Sequence, residues 1–167
     1  MKHLLKTSLA LLLGLATAPA IALPAPKGTP ILEIGGSIEV KNSGERAIFD
    51  REMLENMGLE AVVTHTPWDK GLVKYEGVPM AKLMDEVGAK GETVRIRALN
   101  DYVTLIPLED FRQHNVILAI RRDGKYMPIR DKGPLFVIYP FDSDPALNSQ
   151  VYYARSAWQV KSIDVEP

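Results

Sequence analysis

Five consecutive apolar residues, Leu135-Phe136-Val137-Ile138-Tyr139, sit directly after Gly133-Pro134. The run is bounded by turn residues and is too short for an ordinary helix, so it reads as a strand that is apolar on both faces. Such a strand belongs in the middle of the core, covered from two sides. Arg130, Asp131 and Lys132 come immediately before it. Three charges beside a buried strand are either a solvated turn or contacts for a ligand.

Around that centre the pattern is mixed, with more strand than helix. Ile31 to Val40 alternates either side of Gly35-Gly36, which predicts a strand with a bulge or bend. Phe49 to Gly58 predicts a short helix, with Asp50 as N-cap, Met53, Leu54 and Met57 on one face, and Gly58 as terminator. Leu59 to Thr66 reads as a strand. Gly77 to Ala89 reads as a second helix, with Met80, Leu83, Met84 and Val87 at helical spacing and Gly88 closing it. Thr93 to Leu99 alternates strictly, as a half-buried strand does. Glu109-Asp110 opens a helical turn after Pro107. Val116 to Ile129 predicts a hairpin turning at Asp123-Gly124. Ala157 to Val165 is a late strand. The fold class is α+β, mostly β, in a single domain.

The N-terminus carries Lys2 and Lys6, an apolar stretch from Leu9 to Leu15, and the small-residue sequence Ala20-Ile21-Ala22. This is the layout of a secretory signal peptide over residues 1–22, and its apolar core is too short to span a bilayer. The expected location is the periplasm. Residues 23–30 form a proline-containing leader, expected to be extended and mobile. Residues 31–167 form the domain. Taking 22 residues from 167 leaves 145, enough for one real core. Loss of Lys2 and Lys6 moves the net charge from −1 to −3, which argues against a nucleic-acid partner. No later run reaches the roughly 18 apolar residues of a membrane span, so no membrane insertion is expected after cleavage. There is no cysteine. That excludes disulfides, a thiol nucleophile and a thiolate metal ligand.

Three polar–aromatic clusters fall between the elements, where sites usually sit. The first is Thr64 to Gly71, with Thr66 and Trp68. The second is Asn100-Asp101-Tyr102. The third is the stretch with Arg130-Asp131-Lys132 and Tyr139, continuing to Tyr152, Tyr153, Arg155 and Trp158. Each has a plain structural alternative. Asn-Asp-Tyr is good turn chemistry, and tryptophans usually pack. Beyond the signal peptide the histidines are His65 and His114, with no metal-binding spacing. No G-x-S-x-G motif or glycine-rich phosphate loop is present. These residues imply a polar–aromatic pocket for a small planar or anionic ligand.

The segments YEGVPMAKLMDEVGA, RALNDYVTLIPLEDF, RRDGKYMPIRDKGPLFVIYPFD and YARSAWQVKSIDV together resemble the small exported proteins of the oxidoreductase molybdopterin-binding-domain family, which have the sulfite-oxidase-type fold. The resemblance runs from about Ile31 to Val165. It implies a mostly-β domain with a pterin cleft lined by loops. Molybdenum members hold the metal through one cysteine thiolate, from the loop that here reads THTPWDKG. Threonine and histidine do not replace a soft thiolate on a high-valent metal. The chain therefore resembles a cysteine-free subgroup that binds pterins without metal and regulates membrane receptors carrying cyclic-di-GMP synthesis and degradation domains.

A pterin needs flat faces for stacking, a carboxylate or amide at its 2-amino-4-oxo edge, and donors for its hydroxyls or phosphate. The residues expected to bind it are Thr66, Trp68, Asn100, Asp101, Tyr102, Arg130, Asp131, Lys132, Tyr139, Arg155 and Trp158. The cofactor implied is a pterin, molybdopterin-like or simpler. The implied partner is the periplasmic part of a membrane receptor. Two alternatives stand beside this. One is a molybdopterin-dependent oxidoreductase with a non-cysteine metal site. The other is an interaction module with a vestigial cleft.

Overall fold

A computed structural model describes residues 22–167. The expected signal peptide falls almost wholly on residues 1–21, outside the described residues. Ten strands and four short helices follow: β1 (Pro30–Gly36), β2 (Ala47–Asp50), α1 (Arg51–Asn56), β3 (Glu60–Thr64), β4 (Val73–Pro79), α2 (Met80–Glu86), β5 (Thr93–Ala98), β6 (Val103–Pro107), α3 (Leu108–Gln113), β7 (Ile117–Arg122), β8 (Lys125–Tyr126), β9 (Phe136–Ile138), α4 (Gln150–Arg155) and β10 (Val160–Glu166). One sheet has the order β2-β1-β10-β5-β6. The other runs β3-β4-β7-β8, with β9 also paired to β7. Only β1 and β10 pair in parallel within the first sheet; their neighbours are antiparallel. The mostly-β α+β expectation is met.

The apolar run is central, as its composition demands. Leu135, Val137 and Tyr139 enter the larger core, while Phe136 and Ile138 enter a smaller one with Val62, Tyr75, Ile117 and Met127. All five are fully buried. The smaller core is capped by Trp68 and Trp158 rather than by a third layer of secondary structure. That requirement places two loops over the second sheet.

Local chemistry explains most elements. Asp50 caps α1, accepting from the Met53 N–H at 2.9 Å. β5 shows the buried–exposed alternation of its sequence. Asp123 and Gly124 both have positive φ, 49° and 75°, and turn the β7–β8 hairpin. Several expectations need correction. The strand at Ile31 ends at Gly36 instead of bending through to Val40. Gly77-Val78-Pro79 belongs to β4, not to the helix, which begins at Met80. A Cβ on Gly77 would lie 2.1 Å from the Leu118 carbonyl oxygen, so β4 and β7 can approach only because that residue is glycine.

The leader is tied down where mobility is expected. Leu23 is buried, the Pro24 carbonyl accepts from Asn42, and the Lys27 and Gly28 N–H groups donate to Asp50 at 2.8 and 2.7 Å. Pro30 already belongs to β1. These backbone donors, with that of Met53, hold the Asp50 carboxyl below its usual pKa. Among the described residues no helix is long and apolar enough to cross a membrane.

Candidate functional site

A cavity of about 300 Å³ opens beside the smaller core. That is at the lower end of the range for small-ligand sites, about 300–1,000 Å³. Four aromatic side chains wall it: Trp68, Tyr102, Tyr153 and Trp158. Asn100, Gln150 and Ser156 supply its polar groups, and no charged side chain lines it. A flat, uncharged ring with an amide-like edge suits such a lining.

Three parts of the chain meet there. Trp68 comes from the β3–β4 loop, where Thr66 Oγ1 accepts from the Trp68 and Asp69 N–H groups at 3.3 and 3.2 Å. Its ring packs against Phe136 at 5.6 Å, Trp158 at 5.7 Å, Tyr153 at 6.0 Å and Phe141 at 6.1 Å, all tilted or edge-on. Trp158 stands just before β10 and bridges to Phe136 of β9. The β5–β6 turn brings Asn100 and Tyr102, with Asp101 at φ 64°. The third part is the segment from α4, which carries Gln150 and Tyr153, on to Trp158. The Tyr102 hydroxyl donates to the Ala154 carbonyl at 2.7 Å, joining that turn to α4.

Next to the cavity lies a charged network centred on Asp69, which belongs to the first sequence cluster but is not among its candidates. Its carboxylate accepts from the Tyr75 hydroxyl at 2.6 Å and the Thr66 hydroxyl at 3.0 Å. Arg122 lies 3.3 Å away and Lys132 3.6 Å. Arg122 also donates to Asp131 at 2.6 Å. Burial alone pushes the Asp69 carboxyl up, but these two hydroxyls and two cations together hold it below its usual value. Tyr75 is fully buried against that carboxylate, so its hydroxyl is pushed well above the ordinary range.

The sequence candidates therefore divide. Trp68, Asn100, Tyr102 and Trp158 converge on the cavity. Thr66 is buried and shapes the loop without lining the cavity. Asp101 is exposed and paired with Lys161 at 3.3 Å. Asp131 and Lys132 are committed to Arg122 and Asp69. Arg130 is exposed and has no side-chain partner among the described residues. Tyr139 is fully buried with its hydroxyl on Asp110 at 2.7 Å, so it packs rather than faces a ligand. Arg155 donates to Asp110 at 2.8 Å, away from the lining. Tyr153 belongs to the third sequence cluster but is not among its candidates; sequence reasoning passes over Gln150 and Ser156, because α4 carries no apolar periodicity that marks a helix.

The oxidoreductase molybdopterin binding domain model matches residues 47–142, more than half of the chain. The chain belongs to that family. No curated protein matches it. Within this molybdopterin-binding-domain chain, the matched span carries Trp68, Asn100, Tyr102 and the Asp69 network; α4 and Trp158 lie beyond it. The donor set does not fit the metal of a molybdenum cofactor. The chain has no thiolate to offer, and among the described residues no three His, Asp or Glu side chains gather as metal ligands. The neutral aromatic lining of the cavity is chemically compatible with a pterin ring.

Proposed function

We propose that this protein binds a pterin in the aromatic cavity without molybdenum, in the periplasm, and reports that ligand to a membrane receptor of cyclic-di-GMP signalling. One observation carries the ligand half: four aromatic walls and three neutral polar groups surround the cavity in a domain of a pterin-cofactor family that has no cysteine. Edge-on and stacked aromatic contacts hold a flat ring, and Asn100 and Gln150 can each donate and accept at an amide-like edge. The receptor half is supported by the resemblance of the sequence to the exported cysteine-free subgroup and by the signal-peptide pattern at residues 1–22.

A second reading, a molybdopterin-dependent oxidoreductase, is favoured by the family description and opposed by the donor set. Protein purified from the periplasm separates the two. The first reading expects a pterin on extraction and mass identification, with no stoichiometric molybdenum. About one molybdenum per chain, with dye-linked turnover, would establish the second.

A further inference from the structure

The two sides of the cavity are built differently. Trp68 and Trp158 are embedded in an aromatic cluster with Phe136 on the second sheet. The opposite side is α4, which buries no side chain completely. Six residues are too few for a helix to be stable alone. Tyr152 and Tyr153 are half-buried, packing on Tyr139 and on Phe141 and Trp68, and polar contacts add to what holds the helix down. Arg155 donates to Asp110 at 2.8 Å, the Tyr102 hydroxyl donates to the Ala154 carbonyl, and the Tyr152 hydroxyl lies 3.4 Å from His114. Asp110 is the fixed half of the ion pair. It is buried on α3, and the same oxygen accepts from the fully buried Tyr139. Arg155 is the half that can let go.

We propose that α4 is the movable wall of the cavity and that the Arg155–Asp110 pair is its latch. A ligand enters and leaves when Arg155 releases Asp110 and α4 lifts, carrying Gln150 and Tyr153 with it. The Trp68–Trp158 side stays in place. The proposal rests on the cavity being the ligand site, and it assigns Arg155 a positioning role without contact to the ligand.

Trp68 and Trp158 are the only two tryptophans in the chain, and both line the cavity. Intrinsic fluorescence therefore reports on the cavity even when it is empty. In the full ligand-free chain, Arg155→Ala should raise the acrylamide quenching constant about twofold, because local opening exposes the indoles. With neopterin as probe, stopped-flow should show entry and release both faster by about fivefold, the equivalent of a partly exposed ion pair, while affinity moves less. Arg155→Lys should restore part of the wild-type rates. Tyr102→Phe removes a second contact to α4 on a half-exposed residue and should move quenching the same way by less. It keeps the test open should Arg155→Ala fold poorly. Unchanged quenching in both variants, or faster release with unaltered entry, overturns the latch. If wild-type protein ignores neopterin, the pterin reading fails and the quenching measurement alone decides the latch.

Discussion

The loop from Thr66 to Asp69 feeds two neighbouring regions of opposite character. Trp68 faces a cavity lined by aromatic rings and neutral polar groups. Asp69, one residue on, sits among Arg122, Lys132, Tyr75 and Thr66. The charged region is compensated from within: each of its carboxylates has a cation, and its cations have carboxylates. The cavity is the reverse, with aromatic faces that meet edge-on and polar groups such as Asn100 and Gln150 at its border. A region whose charges are already paired is built to hold shape. A region whose surfaces are left available is built to hold something else. The charges that catch the eye in the sequence are, in the structure, mostly scaffolding for the cavity beside them.

The sharpest way to break this comparison is to unpair the charged region. Asp69→Ala leaves the buried Tyr75 hydroxyl without its acceptor, and Arg122 and Lys132 with Asp131 alone, in a site where Asp69 is only 13% exposed. Removing the central acceptor of this partly buried network should cost about 1–3 kcal/mol, measured by urea unfolding. A loss below about 0.5 kcal/mol, the level of an ordinary surface change, would mean the network is not structural.

Next in size is the cavity itself. Trp158→Ala should weaken pterin binding about tenfold or more in calorimetric titration, since an aromatic contact adds about 0.5–1.5 kcal/mol beyond the area it buries. Wild-type affinity in folded Trp68→Ala, Tyr102→Ala and Trp158→Ala variants would show that the ring sits elsewhere.

Much of this layout is legible in the sequence, and the failures have causes. The two-sided run at Leu135–Tyr139 fixes β9 between the two cores, and the Asp50 cap and Asp123-Gly124 turn are local chemistry. Three strands and one helix are not legible. β2 and β6 are short, β4 is interrupted by Gly77 and ends in proline, and α4 buries nothing fully. Within the site, Trp68, Asn100, Tyr102 and Trp158 stand out as polar–aromatic loop residues. Partnering does not. Nothing in the order of residues says that Lys132 meets Asp69, 63 positions away, or that Tyr139 spends its hydroxyl on Asp110.

Acid should separate the two regions by degree. The Asp69 pKa is lowered from its usual 3.8, so the folded state holds the charged form more tightly than the unfolded chain does. Its stabilisation is present above the unfolded value and disappears as pH falls through the folded one. Wild type should therefore exceed Asp69→Asn in stability at neutral pH. The gap should narrow below about pH 4. A gap that does not change with pH would contradict the ionised network. Binding at the uncharged cavity should follow pH only as far as the fold does.

The smallest effect is expected at Arg130. It is exposed and without a side-chain partner among the described residues, so Arg130→Ala should change stability by less than about 0.5 kcal/mol. Affinity for a pterin without phosphate should stay within about threefold, because no ion contact is lost. A tenfold loss would return Arg130 to the binding site.

The most direct test of a metal-free ring site is fluorescence titration of the full chain with neopterin, paired with elemental analysis of the same sample. Both tryptophans face the cavity, so a bound ring should quench their emission saturably at one ligand per chain, with no stoichiometric molybdenum. Emission that does not respond to neopterin, or about one molybdenum per chain, would contradict the account.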